Sequence, residues 1–252
     1  MVYKILASTL FMGKNLVYVP ECHSTNSLAA DLLDRHTAPE GTLVITDRQT
    51  KGRGQRGNTW TTEARSNFTL SLILKPTFLK ADQQFFLNMS VSLGIRQYLG
   101  QYVGGNASIK WPNDIMIGDK KVCGVLIENG LQGGQLATSI VGIGLNVNQQ
   151  HFEYPNATSL SLQTGTRYNL AAELELLISR IESYYLLLRQ QKFNDLEQQY
   201  LDHLFRKSEL RAFKVAGQTC QGRIQGVDQA GHLLIEIDGV MRKFGFKEIE
   251  YV

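Results

Sequence analysis

Gln49-Thr50-Lys51-Gly52-Arg53-Gly54-Gln55-Arg56-Gly57-Asn58-Thr59-Trp60 places three glycines and three cations in one short segment without a carboxylate. Glycine lets backbone N–H groups approach a ligand closely. Arginine offers a planar fork that matches phosphate or carboxylate oxygens. The chemistry of such a loop is to wrap an anion. Taken alone, the pattern also suits a solvated surface loop and, less well, a nucleic-acid contact. It is not a P-loop, since no Gly-Lys-Ser/Thr precedes a helix, and Asn58-Thr59-Trp60 after Gly57 is not the helix start of a dinucleotide fingerprint.

Two further strings carry reactive or close-packing residues. In Lys110-Trp111-Pro112-Asn113-Asp114 the proline removes a ladder donor, so a strand must break or lie at an edge there. A cation, an amide and a carboxylate then gather at one end of a sheet. A plain strand-turn-strand with Trp111 in the core fits the spacing as well. In Gly142-Ile143-Gly144-Leu145-Asn146-Val147-Asn148 two glycines inside an apolar run indicate close backbone approach to a ligand or to another strand.

These residues need elements to position them. A strand is expected over Leu16 to Val19. Ser24-Thr25-Asn26 then provides hydroxyl and amide caps for a helix whose face carries Leu28, Ala29, Leu32 and Leu33. Strands follow at Thr42 to Asp47 and Phe68 to Leu74, and a long helix through Phe85, Met89 and Leu99. Gly118-Asp119 marks a hairpin turn into Val122 to Glu128, and Gly130 to Gly134 a second turn, into a strand from Leu136 to about Gly142. Leu170 to Leu188 and Asn194 to Phe205 read as helices. Residues 207–252 are short β-prone runs between turns, as in a small antiparallel barrel. The expectation is an α+β fold with a mixed, mostly antiparallel sheet carrying helices. A boundary near Phe205 separates residues 1–205 from a β unit of residues 206–252.

The composition is that of an ordinary globular chain: 252 residues, 43% hydrophobic and 19% charged. A net charge of +3 is too small to demand a nucleic-acid surface. Cys22, Cys123 and Cys220 are far apart, without a Cys-x-x-Cys pair, and the five histidines lack metal-ligand spacing. No stretch approaches a membrane span, and a cytoplasmic protein is expected.

Together the strings resemble the biotin–protein ligase family. The resemblance is carried in order by Ser24-Thr25-Asn26, by Gln49 with the Gly52 to Gly57 loop and Trp60, by Lys110-Trp111-Pro112-Asn113-Asp114, by Lys121-Val122-Cys123-Gly124-Val125-Leu126-Ile127-Glu128, and by Gly142 to Asn148. It implies a catalytic domain of the class II aminoacyl-tRNA-synthetase-like biotin/lipoate ligase type, followed by a Src-homology-3-like barrel. It also implies a two-step reaction. Biotin and ATP give biotinyl-5′-AMP, and the biotinyl group passes to a lysine of a biotin carboxyl carrier protein, such as an acetyl-CoA carboxylase subunit.

By the same resemblance Lys110 is the catalytic lysine, with Arg53 beside it in the lid. Biotin falls to Ser24, Thr25, Asn26, Gln49, Gly52, Arg53, Gly54, Gln55, Trp60, Lys110 and Gly124. The adenylate falls to Arg53, Arg56, Trp60, Asn113, Asp114 and Asn146. Mg²⁺ accompanies ATP, near Asp114, without direct protein ligation. Gln55 and Asn58 depart from relatives that carry other residues, often basic, in the loop. About 20 residues precede Ser24, so the monofunctional type without a DNA-binding domain is expected, as monomer or homodimer. Deleting residues 207–252 is expected to harm carrier transfer more than adenylation. The competing readings are a lipoate ligase or acyltransferase of the same fold, and a nucleic-acid-binding module using Arg53 and Arg56.

Overall fold

A computed structural model describes residues 3–252, apart from the side chain at position 56. The elements run β1 (Leu16–Cys22), α1 (Thr25–Asp34), β2 (Leu43–Gln49), β3 (Phe68–Leu74), α2 (Gln84–Val103), β4 (Ala107–Lys110), β5 (Asp114–Ile117), β6 (Lys120–Gln132) and β7 (Gln135–Leu145). Then follow α3 (Leu160–Thr164), α4 (Leu170–Arg189) and α5 (Phe193–Asp202). The chain closes with β8 (Leu210–Val215), β9 (Gln218–Val227), β10 (Leu233–Ile237), β11 (Val240–Phe244) and β12 (Ile249–Tyr251). The expected helices and strands are present, with ends shifted by a few residues. The short helix α3 was not anticipated: five residues are too few to show a helical period, although Ser159 caps it by accepting from Leu162 N.

Seven strands form one sheet in the order β1-β2-β3-β7-β6-β5-β4. Only β1 and β2 pair in parallel; the other neighbours are antiparallel. Alternation along the strands sorts the side chains onto two faces. Leu70, Leu72, Val125, Val141 and Ile143 join the large core beneath α2 and α4. Val44, Ile73 and Ile140 face the other way and pack with Ala29 of α1. The α1 face is thinly covered, and the site lies on it.

The C-terminal strands form an antiparallel sheet in the order β11-β10-β9-β8-β12. Its strand pairing is open where a closed barrel was expected. The three-residue β12 spends its register on β8, and none of its pairing reaches β11. This unit is held close to the main sheet. Residues 203–205 run along the edge strand β4, where Ile109 N donates to His203 O and Phe205 N to Ile109 O, both at 2.8 Å. Phe213, Ile224, Val227 and Ile235 belong to the same core as α2 and β4.

The two long helices touch at Gly94. A Cβ added there would stand 2.6 Å from Ile181 Cα and 2.9 Å from its N, so it would push backbone against backbone. Gly94→Ala is expected to lower the urea midpoint at unchanged m-value. The loss should be about 1–3 kcal/mol despite alanine's better helix propensity.

Candidate functional site

Between the start of α1, the middle of β6 and β7, and the C-terminal strand β12 lies a cavity of about 730 Å³. Its floor is bare sheet. Gly124 and Gly144 stand opposite each other in the β6–β7 register, and Gly142 pairs with Ser71 of β3. With no side chains there, other groups settle onto the backbone. The Trp60 indole lies against Gly144 and Gly124, and the Asn26 amide against Gly142. An alanine at position 124 would bring its Cβ to 3.1 Å from the Trp60 ring.

The polar end of the cavity grows out of the first turn of α1. Ser24 is the N-cap, but its side chain makes no capping hydrogen bond. This corrects the simple cap expected from the sequence. The Gln49 side chain reaches across from the end of β2 and takes that role: its Oε1 accepts from Thr25 N at 2.7 Å and from Thr25 Oγ1 at 3.1 Å. Ser71, fully buried on β3, lies 2.8 Å from Thr25 Oγ1 and 2.6 Å from Asn26 Oδ1. Asn26 Nδ2 donates to Glu128 Oε2 at 2.7 Å. A ring of donors and acceptors with fixed orientations therefore closes this end. Ser71 carried no assignment from the sequence. A hydroxyl in the middle of the otherwise apolar run Phe68 to Leu74 is the signal that could have found it.

The other end is cationic. Pro112 falls where the edge strand stops, so Lys110 closes β4 and Asp114 opens β5, paired in register. Lys110 Nζ sits 4.5 Å from the centroid of the Tyr251 ring. Burial, with Lys121 and Arg206 adding to it and Asp114 opposing, pulls its pKa below the ordinary lysine value. Lys121 Nζ is 2.6 Å from Asp114 Oδ1 and 5.5 Å from the Trp60 ring centroid. Asn113 Nδ2 donates to Val125 O at 2.6 Å, which ties the start of β5 to β6. Tyr251 carries no site signal in the sequence, because nothing local marks the last residue of a three-residue strand. With Phe246, Lys247, Ile249 and Glu250 it brings the C-terminal unit into the wall of the cavity. Trp111 Nε1 donates to Gly231 O at 2.8 Å and adds a second tie. Residues 207–252 are thus part of the Lys110 environment, so their loss reaches the groups around Lys110 as well as any carrier contact.

A second cavity, of about 930 Å³, adjoins the first and shares Trp60, Lys110, Asp114, Lys121 and Tyr251 with it. Asn146 lines it; its Nδ2 donates to Thr158 O at 3.0 Å, while its buried Oδ1 has no partner among the described residues. Trp60 Nε1 is likewise buried, without a partner among the described residues. Asn146 and the Trp60 indole thus line one cavity, an amide and a flat aromatic surface of the kind a heterocycle uses. No group of three or more His, Cys, Asp or Glu side chains among the described residues could cage a metal. Burial pushes the Cys123 thiol up, so it is packing and not a nucleophile.

The cation loop is folded as a small hairpin. Arg53 bridges Thr59, Gly54 N donates to Asn58 O, and Trp60 N donates to Gly52 O. Gly52 is buried where a Cβ would meet the Trp60 carbonyl and, at 2.7 Å, Gln49 Nε2. Gly54 and Gln55 line the first cavity. Arg53 also borders it, but its Nη2 donates to Glu128 Oε2 at 3.0 Å. The Arg56 side chain lies outside the described residues. In the sequence Glu128 is only the end of the Lys121 to Glu128 string, since its two partners lie far away along the chain.

The sequence pattern of the biotin/lipoate A/B protein ligase family matches residues 18–146. The bifunctional ligase/repressor BirA of Bacillus subtilis is 32% identical over 249 residues, which cover 96% of this chain and 75% of that protein. The biotin–[acetyl-CoA-carboxylase] ligase of Mycobacterium tuberculosis is 27% identical over 229 residues, covering 85% of this chain and 82% of that one. Among solved structures, biotin protein ligase from Aquifex aeolicus in complex with biotin and ATP aligns with a TM-score of 0.79 at 26% identity, over 95% of this chain and 100% of that one.

Lys110 should titrate below exposed lysines when followed by NMR of labelled Nζ groups. Tyr251→Ala admits water and should move that midpoint up toward the ordinary value; an unmoved midpoint would contradict the assigned cause. The sign for stability follows. Above the lowered pKa the folded chain has released a proton that the unfolded chain still holds. Lys110 therefore contributes stability that rises with pH up to the ordinary lysine pKa.

Proposed function

The chain belongs to the biotin/lipoate A/B protein ligase family, and we propose that it joins biotin to ATP as biotinyl-5′-AMP and then to a carrier lysine. The observation that carries this reading is the layout of the two cavities. A polar ring from α1, β2 and β3 ends the first, a flat aromatic and a free amide oxygen mark the second, and Lys110 stands where they meet. Biotin's ureido group is a compact set of donors and acceptors that matches Ser24, Thr25, Asn26, Gln49 and Ser71. A site built on such hydrogen bonds rejects analogues that lack them. The valeryl chain then runs past the Trp60 indole, which covers Gly124 and Gly144, toward Lys110. Adenine stacks on Trp60, with its amino group facing Asn146 Oδ1.

In the first step a biotin carboxylate oxygen bonds to the α-phosphorus as the α–β phosphoanhydride bond breaks and pyrophosphate leaves. Two anions must approach each other, so cations at the junction carry the step. Lys110, kept from bulk water by Tyr251, spans the carboxylate and the α-phosphate. Lys121 stays near, restrained by Asp114. Asp114, paired with Lys121, is the carboxylate nearest this junction, and Mg²⁺ bound to the triphosphate would supply further charge neutralisation there. In the second step the carrier amine attacks the acyl carbon; an amide forms, AMP leaves and a proton goes to solvent. Gly54, Gln55 and the rest of the hairpin cover the mixed anhydride against water. Gln55 brings a neutral amide to this cover, with weaker hold on phosphate than a cation has.

The relatives named biotin–[acetyl-CoA-carboxylase] ligase support a biotin carboxyl carrier protein as acceptor. The three unpaired cysteines suit a reducing cytoplasm. Incubation with biotin, Mg-ATP and a carrier domain should add one biotinyl group to one lysine, seen by intact mass. Biotin should raise the thermal midpoint and lipoate should not; stabilisation by lipoate alone would remove the reading. Lys110→Ala should lower biotin-dependent ATP–pyrophosphate exchange by about 10²–10³-fold while biotin binding persists, as for removal of one transition-state charge contact. Normal exchange would contradict the role of Lys110.

A further inference from the structure

We infer that Glu128 is a positioning residue for the proposed ligase reaction: it latches the hairpin lid to the biotin end of the cavity through Arg53. This rests on the biotin-ligase reading. Glu128 projects from the same face of β6 as Gly124 and Leu126, just past the glycine floor. One of its oxygens, Oε2, accepts from Asn26 Nδ2 at 2.7 Å and from Arg53 Nη2 at 3.0 Å. Those partners lie 102 and 75 residues away in sequence. A single carboxylate oxygen therefore joins helix α1, strand β6 and the lid. The Arg53 and Glu128 side chains are 47% and 39% exposed, so as an isolated ion pair they add little stability. What they add is geometry. With the latch made, Arg53 stays at the hairpin stem, Gly54 and Gln55 lie over the cavity, and the Asn26 amide keeps its orientation toward Ser71. Arg53 thus acts through Glu128, not as a direct phosphate ligand.

A double-mutant cycle tests this with two readouts: biotin affinity by calorimetry, and release of labelled biotinyl-adenylate in single turnovers. Arg53→Ala and Glu128→Ala should each speed release by about tenfold, the scale of one charge-assisted hydrogen bond. The double variant should be no faster than the worse single, because both remove one link. Glu128→Gln keeps an acceptor for Asn26 and should hold biotin affinity within about twofold while still speeding release. It carries the test if the alanine variant does not fold. Multiplying losses in the double variant would overturn the latch, since the two residues would then serve separate groups. Unchanged release in Arg53→Ala and Glu128→Gln would overturn it as well. A wild-type chain that bound no biotin would remove the functional reading and the latch with it; failure of the cycle in a biotin-binding chain removes the latch alone.

Discussion

The site depends on a patch of β-sheet that carries no side chains. Gly124, Gly142 and Gly144 lie on one face of β6 and β7, and the space a Cβ would fill is taken by the Asn26 amide and the Trp60 indole. Glycine costs conformational entropy and weakens a strand, and the sheet tolerates it here because β3, β6 and β7 are central strands paired on both sides. The opposite face of the same strands is apolar and fixed beneath α2 and α4. One face thus provides stability, and the other seats the Asn26 amide and the Trp60 indole directly on the backbone.

Charge is distributed with similar economy. Lys110, Lys121 and Arg206 approach one another with Asp114 as the nearby counter-charge, and burial already disfavours the ammonium of Lys110. A cation held this way gains from an arriving anion more than a solvated lysine does, because the anion restores the attraction that burial removed. In the proposed reaction both substrates bring negative charge to that place. The polar ring around Asn26 is the complementary case: the neutral groups of Thr25, Asn26, Gln49 and Ser71 hydrogen-bond one another, with Glu128 at one end paired to Arg53, and the set is suited to orientation.

The C-terminal unit completes the cationic end. Residues 203–205 extend the sheet along β4, Trp111 ties to Gly231, and Tyr251 returns to cover Lys110. Its open strand order matters less than where its last strand ends. The same string that breaks at Pro112 thereby meets three separate regions: β6 through Asn113, the C-terminal turn through Trp111, and the chain end through Lys110.

Much of this is legible in the sequence. Periodicity placed the helices and most strands, Pro112 announced the break that sets Lys110 opposite Asp114, and the paired glycines announced close backbone approach. These are local properties, in which steric freedom and side-chain alternation act within a few residues. The partners were not legible. Gln49, not Ser24, caps α1; Ser71 supports Asn26; Glu128 holds Arg53; Tyr251 shields Lys110. Each joins residues from separate strands or helices, and only the order β2-β3-β7-β6 with the returning C-terminal sheet brings them within hydrogen-bonding or van der Waals reach. The sequence by itself determined which groups were available and where the backbone must bend or lie bare. The tertiary structure decided which of them face one another, because hydrogen bonds and burial act over a few ångströms of space and are blind to distance along the chain.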